Sequence, residues 1–292
     1  MDQSRSSLMH LILGAFLISF SPVFAKLAGS ATTAVGFYRM LFGLLGLSLM
    51  FFGRRDIAKG TLGGVLIASV SGLFFSLDIF FWHKSILHVG PGLSTLMANF
   101  QVFFLACLDI FIFRQKVLKK LGVAVILAIT GLYLLVGQGW SDSDETFKLC
   151  VIYGLLTAVM YYGYIVTLRM TGSKKRYLDK RFSMFIVTGV SCVLLGITAF
   201  ATGDSLAIAD METGVYLVLY GVLCQALGWV IIASALPKLK LTVSGLILLL
   251  QPTLAYVWDI SFFGKQVSGS EMFGAALALF AIYLGNIRTT EK

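Results

Sequence analysis

Long apolar runs separated by short charged segments make up the chain from end to end. Ten of them are long enough to cross a bilayer core, which takes about 20 apolar residues over roughly 30 Å. They are Leu8–Ala28, Val35–Phe52, Leu62–Trp82, Pro91–Phe113, Leu121–Val136, Leu149–Met170, Phe182–Ala201, Gly214–Leu236, Thr242–Phe263 and Met272–Ile287. Leu121–Val136 is short, and its inclusion follows from the parity of the loops. Leu8–Ala28 is interrupted by Pro22 and Lys26 and is too long for the apolar core of a cleaved leader, so a retained helix is expected there.

Two spans carry one pattern. Leu96–Lys116 aligns without a gap on Leu246–Gln266 at an offset of 150, matching Gln101 to Gln251, Asp109 to Asp259 and Phe113 to Phe263. A polar pair repeated in register within an apolar background indicates an internal duplication, and in membrane proteins that points first to transporters. The ten spans then divide into halves of five, residues 1–140 and 148–292. Five is odd, so the second half enters the membrane from the opposite side. The fold class expected is an all-α integral membrane protein, ten transmembrane helices as two inverted five-helix repeats.

Composition agrees with lipid as the solvent. Apolar residues make up 58% of the 292 positions and charged residues only 13%. The net charge of +9 sits mostly in the loops, where it reports topology and does not call for nucleic acid. Of the 23 lysines and arginines, 18 lie in the terminal segments and alternate loops of one side and 3 on the other. Both termini are therefore expected in the cytoplasm, with the protein multi-pass in the inner (cell) membrane. The four cysteines have no metal-type spacing and read as packing residues. His10, His83 and His88 form no ligand set either, and His83 reads as an interfacial histidine or a gating group. No phosphate-binding loop, GxSxG or HExxH occurs, so no catalysis and no cofactor are expected. Without a nucleotide site, transport would be secondary or facilitative.

Ionisable groups inside a bilayer cost about 2.5 to 3.5 kcal/mol each on insertion scales, so each needs a partner or a watery cavity. Lys26, Arg39, Asp78, Asp109 and Asp259 qualify. Asp78 shares a helix face with Ser71, Phe75, Trp82 and Ser85, toward the outer side of its span. It either staples helices through an ion pair with Lys26 or Arg39, or meets substrate or a transported proton. Asp109, beside Arg114 and Lys116, and Asp259, facing Lys265 or external water, are anchors or gate and coupling residues. Gln101 and Gln251 lie deeper. Pro252 frees a backbone carbonyl, which Gln251 either satisfies or leaves while offering its amide to solute. Asn99, the Tyr153, Thr157, Tyr161 and Tyr164 face, Gln225 with Trp229, and Trp258 complete the polar and aromatic positions; each is packing, belt or cavity wall.

The segment FFGKQVSGSEMFGAALALFAIYLG after a proline-bearing helix, and LISFSPVFAKLA opening the first half, resemble the ten-helix drug/metabolite transporter superfamily of the EamA type over nearly the whole chain. Gln101 stands near the position where that family usually has a proline matching Pro252, and Gln115 and Lys265 replace a frequent acidic residue. The resemblance implies a central cavity walled by the first, third, fourth, sixth, eighth and ninth spans. It favours efflux of amino acids or related amines. In this sequence Lys26 and Arg39 would take a carboxylate, Asp78 an ammonium, and Trp82, Tyr161 and Trp229 the apolar part. An importer of a nucleoside-type or cationic metabolite is the alternative and needs Asp78 unpaired; a non-transporting scaffold requires no charges at span depth. The expected partners are thus a small solute and the bilayer. The small-residue spacings Ala124/Ala128 and Gly274/Ala278 pack either within one chain or between two, leaving monomer and homodimer open.

Overall fold

Lipid offers no hydrogen bonds, so a chain that crosses it must satisfy its backbone internally. The computed structural model describes residues 2–29, 32–51, 60–104, 119–137, 140–141, 143–171, 177–235, 238–239 and 241–286, and apart from the connecting segments these are helical. In order they form α1 (Asp2–Ser19), α2 (Ser21–Leu27), α3 (Thr32–Phe51), α4 (Leu62–Val89), α5 (Pro91–Ala98), α6 (Lys119–Leu132), α7 (Glu145–Met170), α8 (Lys180–Thr202), α9 (Met211–Leu219), α10 (Trp229–Ala235), α11 (Leu241–Leu248), α12 (Leu250–Phe263) and α13 (Gly269–Asn286). Wider π-turns continue α6 through Tyr133–Gly137 and join α9 to α10 through Tyr220–Gly228. Among the described residues, eight continuous stretches are long and apolar enough to cross a membrane, and Gly269–Gly285 is a shorter apolar helix. The protein is a multi-pass membrane protein.

Three of the expected spans are broken helices. Proline removes a backbone donor and crowds the preceding turn; Pro22 stands in the first turn of α2, whereas Pro91 opens α5 at the start of the fourth span, which breaks later, at Asn99. Pro252 follows the break at Leu249 as Pro22 follows that at Phe20. Gly90, with φ of +90°, turns the chain between α4 and α5 in a conformation that a side chain would strain.

The expected end of the third span at Trp82 is seven residues too early. Helix α4 runs 28 residues to Val89, because His83, Lys84 and His88 continue the helix instead of ending it. Asp78 therefore lies near the helix midpoint, not toward its outer side. Its predicted companions Ser71, Phe75, Trp82 and Ser85 are all buried with it.

Helix α4 packs on α7 and α8, α3 on α8 and the π-turns, α5 on α12, and α6 on α13. The last pair shows why small residues are needed: a Cβ on Gly131 would lie 2.9 Å from the Ala278 nitrogen, and one on Gly274 3.0 Å from the Gly131 carbonyl. Ala124, Ala128 and Ala278 are buried in one chain, so this stripe closes an intramolecular contact. Gly131→Leu is expected to destabilise the protein by about 1–3 kcal/mol through overpacking. Its melting temperature in detergent should fall, whereas Gly122→Leu, with nothing within 4 Å of its Cβ, should leave it unchanged.

Candidate functional site

A guanidinium stays charged at any accessible pH, so a buried arginine dictates the polarity of its neighbours. Arg39 of α3 is 5% exposed. Its Nε donates to Gln225 Oε1 at 3.1 Å and its Nη1 to the Tyr220 hydroxyl at 2.9 Å. The faces of Tyr220, Trp82 and Phe75 lie 4.9, 5.8 and 5.9 Å from the guanidinium carbon, within cation–π range.

Two hydrogen-bond chains extend from this centre. Gln225 passes one on, its amide nitrogen donating to Thr188 Oγ1 at 3.3 Å. Tyr220 passes on the other. His83 Nδ1 lies 2.7 Å from the Ile79 carbonyl, which can only accept, so in the neutral ring that nitrogen carries the proton and Nε2 is left as an acceptor for the Tyr220 hydroxyl at 3.3 Å. His83 is thus buried in the network, not interfacial as the sequence suggested, because α4 continues past it.

Asp78 is buried and within electrostatic range of Arg39, Tyr161 and Tyr164. Among the described residues, however, no hydrogen bond or ion pair reaches its carboxylate, so the pair with Lys26 or Arg39 that the stapling alternative required is not present. The reason lies in Arg39, whose fork is already turned toward Tyr220 and Gln225. Next to this centre is a narrow crevice lined by Phe75, Tyr164, Met184, Val187, Thr188, Gln225 and Trp229. The Trp229 indole N–H is buried there without a partner among the described residues. Tyr164 packs on Phe75 at 4.7 Å and on Tyr161 at 5.6 Å.

The structure therefore brings Arg39, Asp78, Trp82, His83, Tyr161, Tyr164, Gln225 and Trp229 to one place. The walls come from the second, third, sixth, seventh and eighth spans, instead of the set expected from the sequence. Tyr220 and Thr188 were missed. Tyr220 and Gln225 are five apart, which in an α-helix separates them on the surface; the i→i+5 turns of Tyr220–Gly228 bring both to Arg39. Thr188 lies in an otherwise apolar stretch of α8, with Ser191 one turn on as the only hint.

The first, fourth and ninth spans build a second polar centre. Asp259 of α12 is 1% exposed and accepts from the Gly92 nitrogen at 3.1 Å, at the amino end of α5, where unpaired N–H groups and the helix dipole favour an anion. Lys26 lies 3.8 Å from it and 4.2 Å over the Phe263 ring. Asp259 thus points inward at Gly92 and Lys26, not at Lys265 or external water; Lys265 pairs with Glu271 at 2.8 Å. Lys26 is accordingly not paired with Arg39 at one carboxylate site. A Cβ at Gly90 would lie 2.7 Å from Asp259 Oδ2, and one at Gly92 2.7 Å from the Tyr256 backbone, so glycine is required at both.

Asn99 donates to the Thr95 carbonyl of its own helix at 2.8 Å. Gln101 Oε1 is buried without a partner, and Gln251 makes no hydrogen bond among the described residues, leaving the carbonyl freed by Pro252 unsatisfied by it. Trp258 donates to Ser19 Oγ at 3.0 Å and stacks on Phe20, so it ties α12 to the break in the first span. Asp109, Arg114, Lys116 and Cys107 lie outside the described residues. No group of three or more potential metal ligands occurs among the described residues.

A multi-pass bundle of apolar helices, broken helices and a buried charged centre next to a crevice are what a membrane carrier needs. A family model described as the EamA-like transporter family matches residues 5–137 and again 148–287. The chain belongs to the EamA-like transporter family. A curated relative from Archaeoglobus fulgidus, named an uncharacterized transporter, is 21% identical over 276 residues and covers 94% of each chain. A solved crystal structure covers 96% of this chain and 97% of its own with a TM-score of 0.64 at 14% identity, a likeness of fold.

Tyr220→Phe removes the acceptor of a buried guanidinium N–H and is expected to cost about 1–3 kcal/mol, read as a lower melting temperature of the purified protein. Asp259→Ala should cost about 1–2 kcal/mol by uncapping α5. Lys26→Met should cost less in the same assay, since its side chain is 38% exposed and the pair is screened.

Proposed function

We propose that this EamA-like protein is a secondary transporter that exports an amino acid or a related amine by alternating access. The observation that carries this reading is that Arg39 and Asp78 occupy one buried site without pairing to each other. Removing one partner of a buried charge pair costs several kcal/mol, so a carboxylate left open beside an arginine held by neutral groups is a site awaiting a ligand of both charges. A zwitterion supplies them: its carboxylate meets the Arg39 donors not taken by Tyr220 and Gln225, and its ammonium meets Asp78. Trp82, Tyr161, Tyr164 and Trp229 surround the remainder. A purely cationic solute would face the Arg39 charge, which disfavours the import alternative.

The two-repeat reading, residues 1–140 and 148–292 related by inversion, is supported by the position of the helix breaks. The fourth span breaks at Asn99 and the ninth at Leu249, which is the same place at the offset of 150. The buried serines Ser94 and Ser244 correspond at the same offset. Broken helices in matching places of two halves mark transport sites in such folds. The crevice beside Arg39 is too narrow to hold a solute as it stands, so the reading requires it to widen as the halves move. The distribution of lysine and arginine supports cytoplasmic termini in the inner membrane.

Proteoliposomes loaded with unlabelled amino acids test the reading. Protein-dependent exchange of labelled amino acid is expected, falling at least about tenfold in Asp78→Asn and in Arg39→Gln, the effect of losing roughly 1.4 kcal/mol of binding. Exchange no faster than in empty liposomes across all amino acids and amines tried would overturn it.

A further inference from the structure

An open recess lies away from the Arg39 centre. It is bounded by Ser6, Ser7 and His10 on the first turns of α1, by Ser234 and Ala235 at the end of α10, and by Lys238. Its lining holds one ammonium, one imidazole and three hydroxyls, and no carboxylate. Among the described residues Lys238 has neither an ion-pair nor a hydrogen-bond partner. The His10 ring is fixed against its own helix, Nδ1 to the Ser6 carbonyl at 2.6 Å, which turns Nε2 away from that bond. Ser234 spends its hydroxyl proton on the Ile231 carbonyl at 2.8 Å, so Lys238 and Ser6 remain as the principal donors.

A second feature lies on the same helix next to this recess. Met9, Leu13 and Phe16 are exposed at helical spacing and form an apolar stripe on α1 beginning beside His10. In a membrane that stripe faces lipid. A molecule filling both places must be anionic at one end and a long hydrocarbon at the other. We infer that the recess between α1 and the α10–Lys238 segment binds the phosphate of an anionic phospholipid whose acyl chain lies along Met9, Leu13 and Phe16. Basic pockets between transmembrane helices on the cytoplasmic side hold such head groups, and the basic-loop distribution assigns this end to that side. The inference is independent of what the carrier transports.

The test uses purified full-length protein in bilayers of phosphatidylcholine alone or mixed with phosphatidylglycerol. Phosphatidylglycerol is expected to raise the melting temperature by about 3 °C or more, through selective binding to the folded state. The double variant His10→Gln/Lys238→Gln should melt with the wild type in phosphatidylcholine and lose the gain, both side chains being exposed and outside the core. Lys120→Gln, an exposed basic residue elsewhere, should keep the gain. Full gain in the double variant, or equal loss in Lys120→Gln, would overturn the assignment. So would inorganic phosphate reproducing the shift in phosphatidylcholine, because the site would then take a soluble anion.

Discussion

A charge that cannot be neutralised, held where water cannot follow, sets the terms for this protein. Arg39 must be surrounded by acceptors and aromatic faces, and they come from two distant parts of the chain: Phe75 and Trp82 from α4, Tyr220 and Gln225 from the π-turns after α9. Satisfying it therefore fixes the second, third and eighth spans relative to one another. The π-turns belong to the same requirement, since they align Tyr220 with Gln225 where regular α-turns would separate them. Thr188 and His83 complete the arrangement by occupying the far ends of those two side chains.

The second centre answers a different demand. Helix α5 begins inside the bundle, and its first N–H groups have no partner in their own helix. Asp259 supplies one acceptor from the ninth span, and Lys26 balances its charge from the first. Glycine at positions 90 and 92 is what allows that carboxylate and Tyr256 to come so close. Charge is thus compensated within this centre, whereas at the first centre Arg39 and Asp78 remain apart.

Much of this was legible from the sequence, and the limits have physical causes. Apolar run length gave the all-helical membrane class because backbone satisfaction in lipid leaves few alternatives. Helical spacing correctly grouped Ser71, Phe75, Asp78, Trp82 and Ser85, since a long regular helix preserves one face. Spacing failed for Tyr220 because the helix is not regular there. It failed for the Asp78 partner because an ion pair depends on where the arginine fork turns, and that is decided by Gln225, 186 positions away. His83 and Lys84 suggested the end of a span only because polar residues usually mark an interface; in a bundle with a polar interior they also mark the inside.

The distribution of irregular backbone makes the division of labour physical. The helix break at Phe20, which stacks on Trp258 beside Asp259, and the π-turns at 220–228, which hold Arg39, border the two polar centres. Backbone of this kind is tolerated at membrane depth only where protein or a cavity covers it, so the polar side chains and the broken helices need each other. The α6–α13 pair, by contrast, is held by glycine and alanine in close van der Waals contact, with Ala128, Ala275, Ala278 and Ile282 in its buried core. Packing of that sort tolerates little movement, because interiors are close-packed and resist gradual deformation. The tightly packed flank thus supplies rigidity that the polar interior, with one carboxylate and one indole left unpartnered among the described residues, does not.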